Sequence, residues 1–165
     1  CIPQACIEIL DRLGIDIEGK DAVVVGRAHN VAVPLSLLLM HRNATVTIAH
    51  CCTRNLPAVI GRADILVSAL GRPEFIKGAW LKPGATVIDL GTTRVNSTES
   101  TFKVVGDCEF SSCKSKAGFM TAPGQNNGIG TLAFYMVLRN LLNCTTAGPD
   151  TDSVDGAVDP YLRYG

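Results

Sequence analysis

The sequence predicts an α/β fold: a doubly wound, mostly parallel sheet (Rossmann-like) that lies between two layers of helices. Two observations predict it. Short runs of consecutive apolar and β-branched residues recur along the chain, and helical patterns separate them. Consecutive apolar positions are typical of strands buried on both faces. Strands that alternate with helices form right-handed βαβ units, and therefore a parallel sheet.

Each predicted strand is bounded by glycine or another turn residue. In chain order the predicted strands are 21–26, 44–49, 63–69, 85–90, 103–106 and 117–121. Apolar residues at helical spacing predict helices over 4–13, 31–41 and 130–143, with shorter ones over 54–61 and 109–116. Pro34 fits the second of these helices only in its first turn.

Length and charge narrow the class of protein further. A chain of 165 residues suits one domain, which we expect over 1–143, followed by a flexible tail over 144–165. Equal numbers of basic and acidic residues, 15 of each, argue against a nucleic-acid partner. No apolar run reaches the roughly 18 residues of a spanning helix, so no membrane partner is expected either.

Seven cysteines occur in the chain, and no two of them form a Cys-x-x-Cys pair. An odd number in a chain of this size indicates free thiols rather than disulfides, and therefore a reducing compartment, the cytoplasm or the mitochondrial matrix. No metal site is expected. The cysteines are Cys1, Cys6, Cys51, Cys52, Cys108, Cys113 and Cys144.

Candidate ligand-binding residues follow the strands, because ligands of doubly wound sheets bind at the carboxyl ends of the strands. After the first strand come Gly26, Arg27 and Ala28, and then a helix start that favours an anion. The segment lacks Gly-x-Gly-x-x-Gly, so a binding turn and an ordinary turn both remain open. Gly71 and Gly91 follow later strands, where backbone passes close to a ligand.

The end of the second strand favours NADP over NAD. NAD sites usually have an acidic residue here, whereas this strand runs into His50, Cys51, Cys52, Thr53 and Arg54. Arg27 and Arg54 suit a 2′-phosphate. His50 is open to a second interpretation as a capping residue.

Three aspartates and one glycine-rich segment complete the candidates. The segment 121–131 frames a pocket or simply connects two elements. The aspartates in or next to strands are expected to accept hydrogen bonds and not to form an acid–base pair; they are Asp64, Asp89 and Asp107.

Six segments resemble, in order, the cofactor domain of the methylenetetrahydrofolate dehydrogenase/cyclohydrolase family. They are 1–10, 19–27 (Gly-Lys-Asp-Ala-Val-Val-Val-Gly-Arg), 43–47, 63–67, 82–89 (Lys-Pro-Gly-Ala-Thr-Val-Ile-Asp) and 104–107 (Val-Val-Gly-Asp). The resemblance extends from Cys1 to about Asn143. It implies oxidation of 5,10-methylenetetrahydrofolate with NADP (or NAD) and then hydrolysis of the methenyl product to 10-formyltetrahydrofolate. It also implies a homodimer.

This resemblance and the positions of the strand ends together predict the site residues. The family's folate-side loop falls on 122–131, where Pro123 and Gly124 are the matching residues, and its nicotinamide turn falls on 91–93. The predicted cofactor-binding residues are Gly26, Arg27, Ala28, His50, Cys51, Gly71, Gly91, Thr92 and Thr93.

The sequence departs from the family at several of these positions. Ala28 and Cys51 stand where the family has serines, and Ala32 stands where it has glycine. The family's catalytic lysine and tyrosine belong to a lobe before Cys1, so we expect no catalytic residue here and an inactive fragment that binds cofactor. The alternative is a degenerate, non-catalytic homologue that retains the fold for dimerisation or scaffolding. A shikimate-dehydrogenase type of domain would explain the topology but not the six ordered segments.

Overall fold

A computed structural model describes residues 1–96, 102–123 and 129–146. The helices are α1 Ile2–Arg12, α2 Ala32–His41, α3 Leu56–Ile60, α4 Phe110–Lys114 and α5 Ile129–Thr146, with a 3₁₀ turn at Gly78–Trp80. The strands are β1 Asp21–Val25, β2 Thr45–Ala49, β3 Ile65–Ser68, β4 Thr86–Asp89, β5 Thr93–Asn96, β6 Phe102–Val105 and β7 Phe119–Met120.

Five strands form a parallel sheet in the order β2-β1-β3-β4-β7, which confirms the predicted fold class. In the pairing register, Val24 of β1 lies between Ile48 of β2 and Val67 of β3. The chain runs from β1 to β2 on one side and then crosses to β3 on the other side of β1. The strand order therefore reverses between β1 and β3, where doubly wound sheets bind ligands.

Both faces of the sheet are covered, and this explains why the strands read as consecutive apolar residues. Val24 and Val67 pack in one buried cluster with side chains of α1, α2 and α5. Val23 and Leu66, their neighbours in the chain, point to the opposite face and pack in a second cluster with α3 and α4. Successive side chains of a strand alternate between faces, so a strand covered on both sides needs apolar residues at every position.

Residues 103–106 are not a further strand of the parallel sheet, as the alternation of strands and helices had suggested. Residues 103–105 lie in β6, which pairs antiparallel with β5 in a separate two-stranded sheet. We did not predict β5, because its sequence Thr-Arg-Val-Asn contains a single apolar residue. Its positions are alternately half-buried and exposed, as expected of a strand outside the core.

The predicted helices are present with shifted ends. Pro34 is the third residue of α2, in its first turn, as expected. The last helix extends to Thr146, so the first three residues of the predicted tail are helical. The rest of that tail lies outside the described residues, as does Gly124. Across the described ranges, no helix combines the length and apolar character that crossing a membrane requires.

Candidate functional site

A cleft of about 880 Å³ opens where β1, β3 and β4 end, beside the start of α5. This volume lies within the usual range of small-molecule sites. Six of the predicted site residues line it: Ala28, Gly71, Gly91, Thr92, Thr93 and Pro123. The geometry thus brings together residues that are separated by almost 100 positions in the sequence.

Backbone hydrogen bonds continue the parallel ladder by one residue beyond the strands. The Ala69 N–H donates to the Val25 carbonyl at 2.8 Å, and the Leu90 N–H donates to the Ser68 carbonyl at 2.9 Å. On the other side, the Gly26 N–H donates to the Ala49 carbonyl at 2.8 Å. The loops after these strands therefore leave the sheet at one level, and this level forms the floor of the cleft.

Gly26 is the residue at which two of these loops come closest. Its φ is +153°, and a Cβ built on it would lie 2.6 Å from the carbonyl oxygen of Ala69. Real Cβ atoms do not approach oxygen this closely, so a side chain here would push the ends of β1 and β3 apart. The glycine keeps the two strand ends in contact below the cleft.

Asp107 holds the loop after β3. Its fully buried carboxylate accepts hydrogen bonds from the Ser68 hydroxyl at 3.0 Å and from the N–H groups of Leu70, Gly71 and Arg72 at 2.6, 3.2 and 2.9 Å. These four bonds fix the position of Gly71 at the cleft wall. Asp107 therefore acts as the hydrogen-bond acceptor that its place beside a strand had suggested.

Asp89 holds the loop after β4 in the same way, as a hydrogen-bond acceptor. Its carboxylate accepts hydrogen bonds from the N–H groups of Gly91, Asp107 and Cys108 at 2.9, 3.0 and 2.8 Å. Burial raises the pKa of the Asp89 carboxyl, and these three N–H donors act in the opposite direction. The two aspartates thus link the loops that form two walls of the cleft, which confirms their expected role.

The start of α2 borders the cleft through Ala28 and Val31. Val31 is the N-cap residue, and no side chain caps the helix there. The N–H groups of a helix's first turn have a partial positive charge and no partner within the helix. In α2 the Val33 N–H already donates to the Ala28 carbonyl at 3.2 Å, and Pro34 has no N–H. The Ala32 N–H is therefore the first-turn donor left for an anionic group at this end of the cleft.

Four predicted cofactor-binding residues are not part of the cleft lining: Gly26 lies below the cleft, and Arg27, His50 and Cys51 lie next to it. Arg27 and Cys51 are exposed, and His50 is half-buried. The Nδ1 atom of His50 accepts a hydrogen bond from the Cys52 N–H at 3.2 Å, which agrees with the capping interpretation. Because β2 is the edge strand, the loop that follows it lies to one side of the cleft.

Several lining residues escaped the sequence analysis. They include one residue of α1 and two of α5: Ile2, Ala133 and Phe134. Three further lining residues, Ile129, Gly130 and Thr131, fall within the segment 121–131 that the sequence analysis offered as the frame of a pocket. Within the described ranges, no group of three or more side chains is arranged to hold a metal ion.

A doubly wound sheet whose cleft opens at the point of strand reversal defines the class of dinucleotide-binding domains. Residues 1–148 match the family model of the tetrahydrofolate dehydrogenase/cyclohydrolase NAD(P)-binding domain. The chain belongs to this family, and the recognition from sequence is confirmed.

Comparisons with individual proteins agree with this family assignment. The chain is 45% identical over 146 residues to bifunctional protein FolD 2 of Arabidopsis thaliana, which covers 87% of the chain and 48% of that protein. It is 49% identical over 143 residues to the FolD of Dictyoglomus thermophilum, covering 86% of the chain and 48% of that protein. It therefore spans about half the length of the curated relatives that it matches.

Solved structures resemble the fold closely. A FolD methylenetetrahydrofolate dehydrogenase/cyclohydrolase of Campylobacter jejuni superimposes with a TM-score of 0.82 at 30% identity, covering 88% of this chain and 50% of that one. The Trypanosoma brucei enzyme, solved with NADP and an inhibitor, also gives 0.82, at 34% identity and 90% and 52% coverage.

Proposed function

We propose that this chain binds NADP in the cleft and serves as the cofactor domain of a methylenetetrahydrofolate dehydrogenase/cyclohydrolase. The main supporting observation is the convergence of the β1, β3 and β4 ends on one cleft at the point of strand reversal. The family membership supports the same conclusion.

The residues of the cleft fit a dinucleotide. The start of α2, where the Ala32 N–H and the helix dipole are directed to the cleft end, is the part assigned to the pyrophosphate, as helix N-termini are in this class of fold. Gly71 lines the cleft and leaves room for backbone to approach the cofactor, since it has no side chain. Thr92 and Thr93 are assigned to the nicotinamide end from the family resemblance, and both line the cleft.

The preference for NADP over NAD is assigned to Arg27 and Arg54. Neither arginine forms an ion pair with another described residue, so both guanidinium groups are available to a phosphate. The loop after β2 has no carboxylate to bind a ribose 2′-hydroxyl and to repel a 2′-phosphate. A relative of known structure was solved with NADP.

NADP held by these residues would supply the hydride acceptor for oxidation of the methylene carbon of 5,10-methylenetetrahydrofolate. The chain's own groups hold the cofactor and exclude water at the cleft, and they supply no nucleophile. Hydrolysis of the methenyl product to 10-formyltetrahydrofolate is assigned to the complete enzyme. Both reactions need the half of the relatives that this chain does not match. Pro123, at the cleft rim, is the described residue assigned to the folate side.

A homodimer in a reducing compartment, the cytoplasm or the mitochondrial matrix, is part of the same proposal. Four large apolar side chains of α5 are exposed by half or more, namely Phe134, Leu138, Leu141 and Leu142. Such a row supports burial against another protein surface, which a second copy would provide. Sedimentation velocity should give a dimer for the wild-type chain and a monomer for Leu141→Glu; a wild-type monomer would contradict the dimer.

Calorimetric titration of the chain with NADP and then with NAD tests the proposal. We expect micromolar binding of NADP and binding of NAD that is at least tenfold weaker. Arg27→Ala and Arg54→Ala should each weaken NADP binding about tenfold and leave NAD binding nearly unchanged, because a charge-assisted hydrogen bond contributes about 1.5–3 kcal/mol. Arg62→Ala is the matched control, since Arg62 is exposed at the far end of α3.

The degenerate-homologue alternative gives a different result in the same experiment. It rests on Ala28 and Cys51, which replace the family's serines and remove hydroxyl groups from the predicted phosphate site. Absence of heat with either nucleotide, from a chain that circular dichroism shows to be folded, would favour this alternative and contradict the proposed cofactor site.

A further inference from the structure

Two adjacent cysteines, Cys51 and Cys52, are exposed in the loop after β2. Cys51 is one of the predicted cofactor-binding residues, whereas Cys52 has no role in the proposed cofactor site. Their Sγ atoms are 3.8 Å apart. Adjacent side chains of a β-strand point to opposite faces, so two neighbouring thiols come together only where the backbone turns.

A short turn over 50–53 brings the two thiols together. The Thr53 N–H donates to the His50 carbonyl at 2.9 Å, and the Thr53 hydroxyl accepts from the His50 N–H at 2.9 Å. Within this turn, the Cys52 N–H donates to His50 Nδ1 at 3.2 Å. These hydrogen bonds hold the backbone of the turn that carries the two thiols, which lowers the entropy lost when a ligand binds to both.

We propose that Cys51 and Cys52 form a two-thiol site for a thiophilic ligand, the chemical class to which trivalent arsenicals belong. Thiolates are the protein ligands that soft atoms prefer. With sulfur bonds of about 2.3 Å, as in zinc thiolates, one bridging atom would span the two sulfurs at an angle of about 110°. The sulfurs are therefore already at the separation that a bridging atom requires.

The geometry of two adjacent cysteines suits a bridging atom better than a direct disulfide. Adjacent Cα atoms lie about 3.8 Å apart across a trans peptide, whereas disulfides usually join Cα atoms about 4.4–6.8 Å apart. The sulfurs would also have to approach to about 2.05 Å. A bridging atom satisfies both thiols without moving the backbone.

The reaction with a monoaryl arsine oxide is balanced without any other reactant. Two arsenic–sulfur bonds form, and the arsenic–oxygen bond breaks. The two thiol protons leave with that oxygen as one molecule of water. Arsenic stays trivalent, so neither an oxidant nor a reductant is needed.

The other cysteines provide the controls. Cys6 is fully buried, and burial raises the pKa of its thiol to about 12, so it stays protonated and inaccessible. Cys108 and Cys113 are also buried. Cys1 is exposed, and Cys1→Ser is a further control. Cys144 is exposed on α5, away from the turn after β2, and it is the matched control for substitution by serine.

The experiment treats the chain with one equivalent of phenylarsine oxide and measures the adduct by intact mass spectrometry. A chelate closed by two thiols of one molecule resists a competing monothiol, because the second bond forms at high effective concentration. We expect the wild-type chain to keep one adduct in a hundredfold excess of 2-mercaptoethanol and to lose it to 2,3-dimercaptopropanol.

Cys51→Ser and Cys52→Ser should each reduce the adduct retained in monothiol at least tenfold, whereas Cys144→Ser should retain it fully. Retention by either of the first two variants would overturn the proposal, and so would loss of the adduct in Cys144→Ser. The absence of a retained adduct on the wild-type chain would overturn it as well. Circular dichroism of each variant ensures that only folded chains are compared. The proposal does not depend on the proposed NADP site.

Discussion

At the residue scale, glycines and aspartates shape the cleft together. A Cβ on Gly91 would overlap the backbone nitrogen and the carboxyl group of Asp107, and a Cβ on Gly106 would overlap the carboxyl group of Asp89. Each carboxylate is thus packed against a glycine of the opposite loop. The small residue lets the buried acceptor reach backbone N–H groups, and this contact holds the loops after β3 and β4 together.

Gly91→Ala tests this packing. We expect the free energy of unfolding to fall by about 1–3 kcal/mol, because the added methyl group meets backbone atoms that cannot move aside. Gly130→Ala is the matched control, since a Cβ there would meet nothing within 4 Å and alanine favours a helix. Urea denaturation measures both variants; equal stability of Gly91→Ala and the wild type would contradict the packing account.

Ala28→Ser should strengthen NADP binding. Ala28 lines the cleft at the start of α2, where the family has a serine, and a hydroxyl there adds a hydrogen-bond donor for phosphate. A net gain of about 0.5–1.5 kcal/mol corresponds to roughly two- to tenfold tighter binding. Ala28→Val, which adds bulk and no donor, is the control in the same calorimetric titration. Binding of NADP that Ala28→Ser leaves unchanged or weakens would contradict this placement of the phosphate.

The sequence predicted the lining glycines better than the residues that support them. Gly71 and Gly91 follow apolar strands, and that local pattern is enough to place them at the cleft. The aspartates were predicted to accept hydrogen bonds, but their partners were not, because the Asp107 contacts join it to Ser68 and Gly71 across more than thirty positions. Such pairings depend on how the strands are ordered, which spacing alone does not show.

At the element scale, one ion pair connects the amino ends of neighbouring strands, away from the cleft. Lys82, before β4, donates to the Asp64 carboxylate at 2.6 Å, and that carboxylate also accepts from the N–H of Asp21 in β1 at 3.1 Å. The hydrogen bond from Lys82 is the main cause that lowers the pKa of Asp64, with the Asp21 N–H as the next.

Lys82→Met should therefore reduce stability in a pH-dependent way. A carboxyl whose pKa is lowered in the folded state stabilises it above the unfolded pKa of about 3.9, and this contribution is lost as the pH falls through the folded pKa. The difference from the wild type should be largest near neutral pH and should shrink below about pH 4. Urea denaturation at several pH values measures it, with the exposed Lys103→Met as control. A pH-independent difference would contradict the assigned ion pair.

Strands β1, β3 and β4 were predictable because each contains consecutive apolar residues, and runs of this kind occur where both faces are covered. The edge strand β2, with the sequence Thr-Val-Thr-Ile-Ala, was predictable from its β-branched residues. The pairing of β5 with β6 was not predictable, since half of the positions in these two strands are exposed and the sequence of β5 resembles a loop. Residues 103–106 were predicted as a strand but in the wrong sheet. Periodicity identifies a strand, whereas its partner depends on contacts distant in sequence.

At the scale of the whole molecule, the order of the strands decides which predicted residues reach the cleft. Ala28, Gly71 and Gly91 follow β1, β3 and β4, which are adjacent in the sheet, and all three line the cleft. His50 and Cys51 follow the edge strand β2 and lie to the side. Their contact with the cofactor stays a prediction, which places the 2′-phosphate end of NADP beyond the cleft and over β2.

Amide chemical-shift mapping of the ¹⁵N-labelled chain during titration with NADP tests the central claim most directly. We expect saturable shifts at the carboxyl ends of the strands, above all at Ala28, Gly71 and Gly91, and smaller ones at His50 and Cys51. The amides of Asp21 and Thr86, at the opposite ends of β1 and β4, should not move. Saturable shifts confined to those opposite ends, or a folded chain whose cleft amides do not respond to NADP, would contradict the cofactor site.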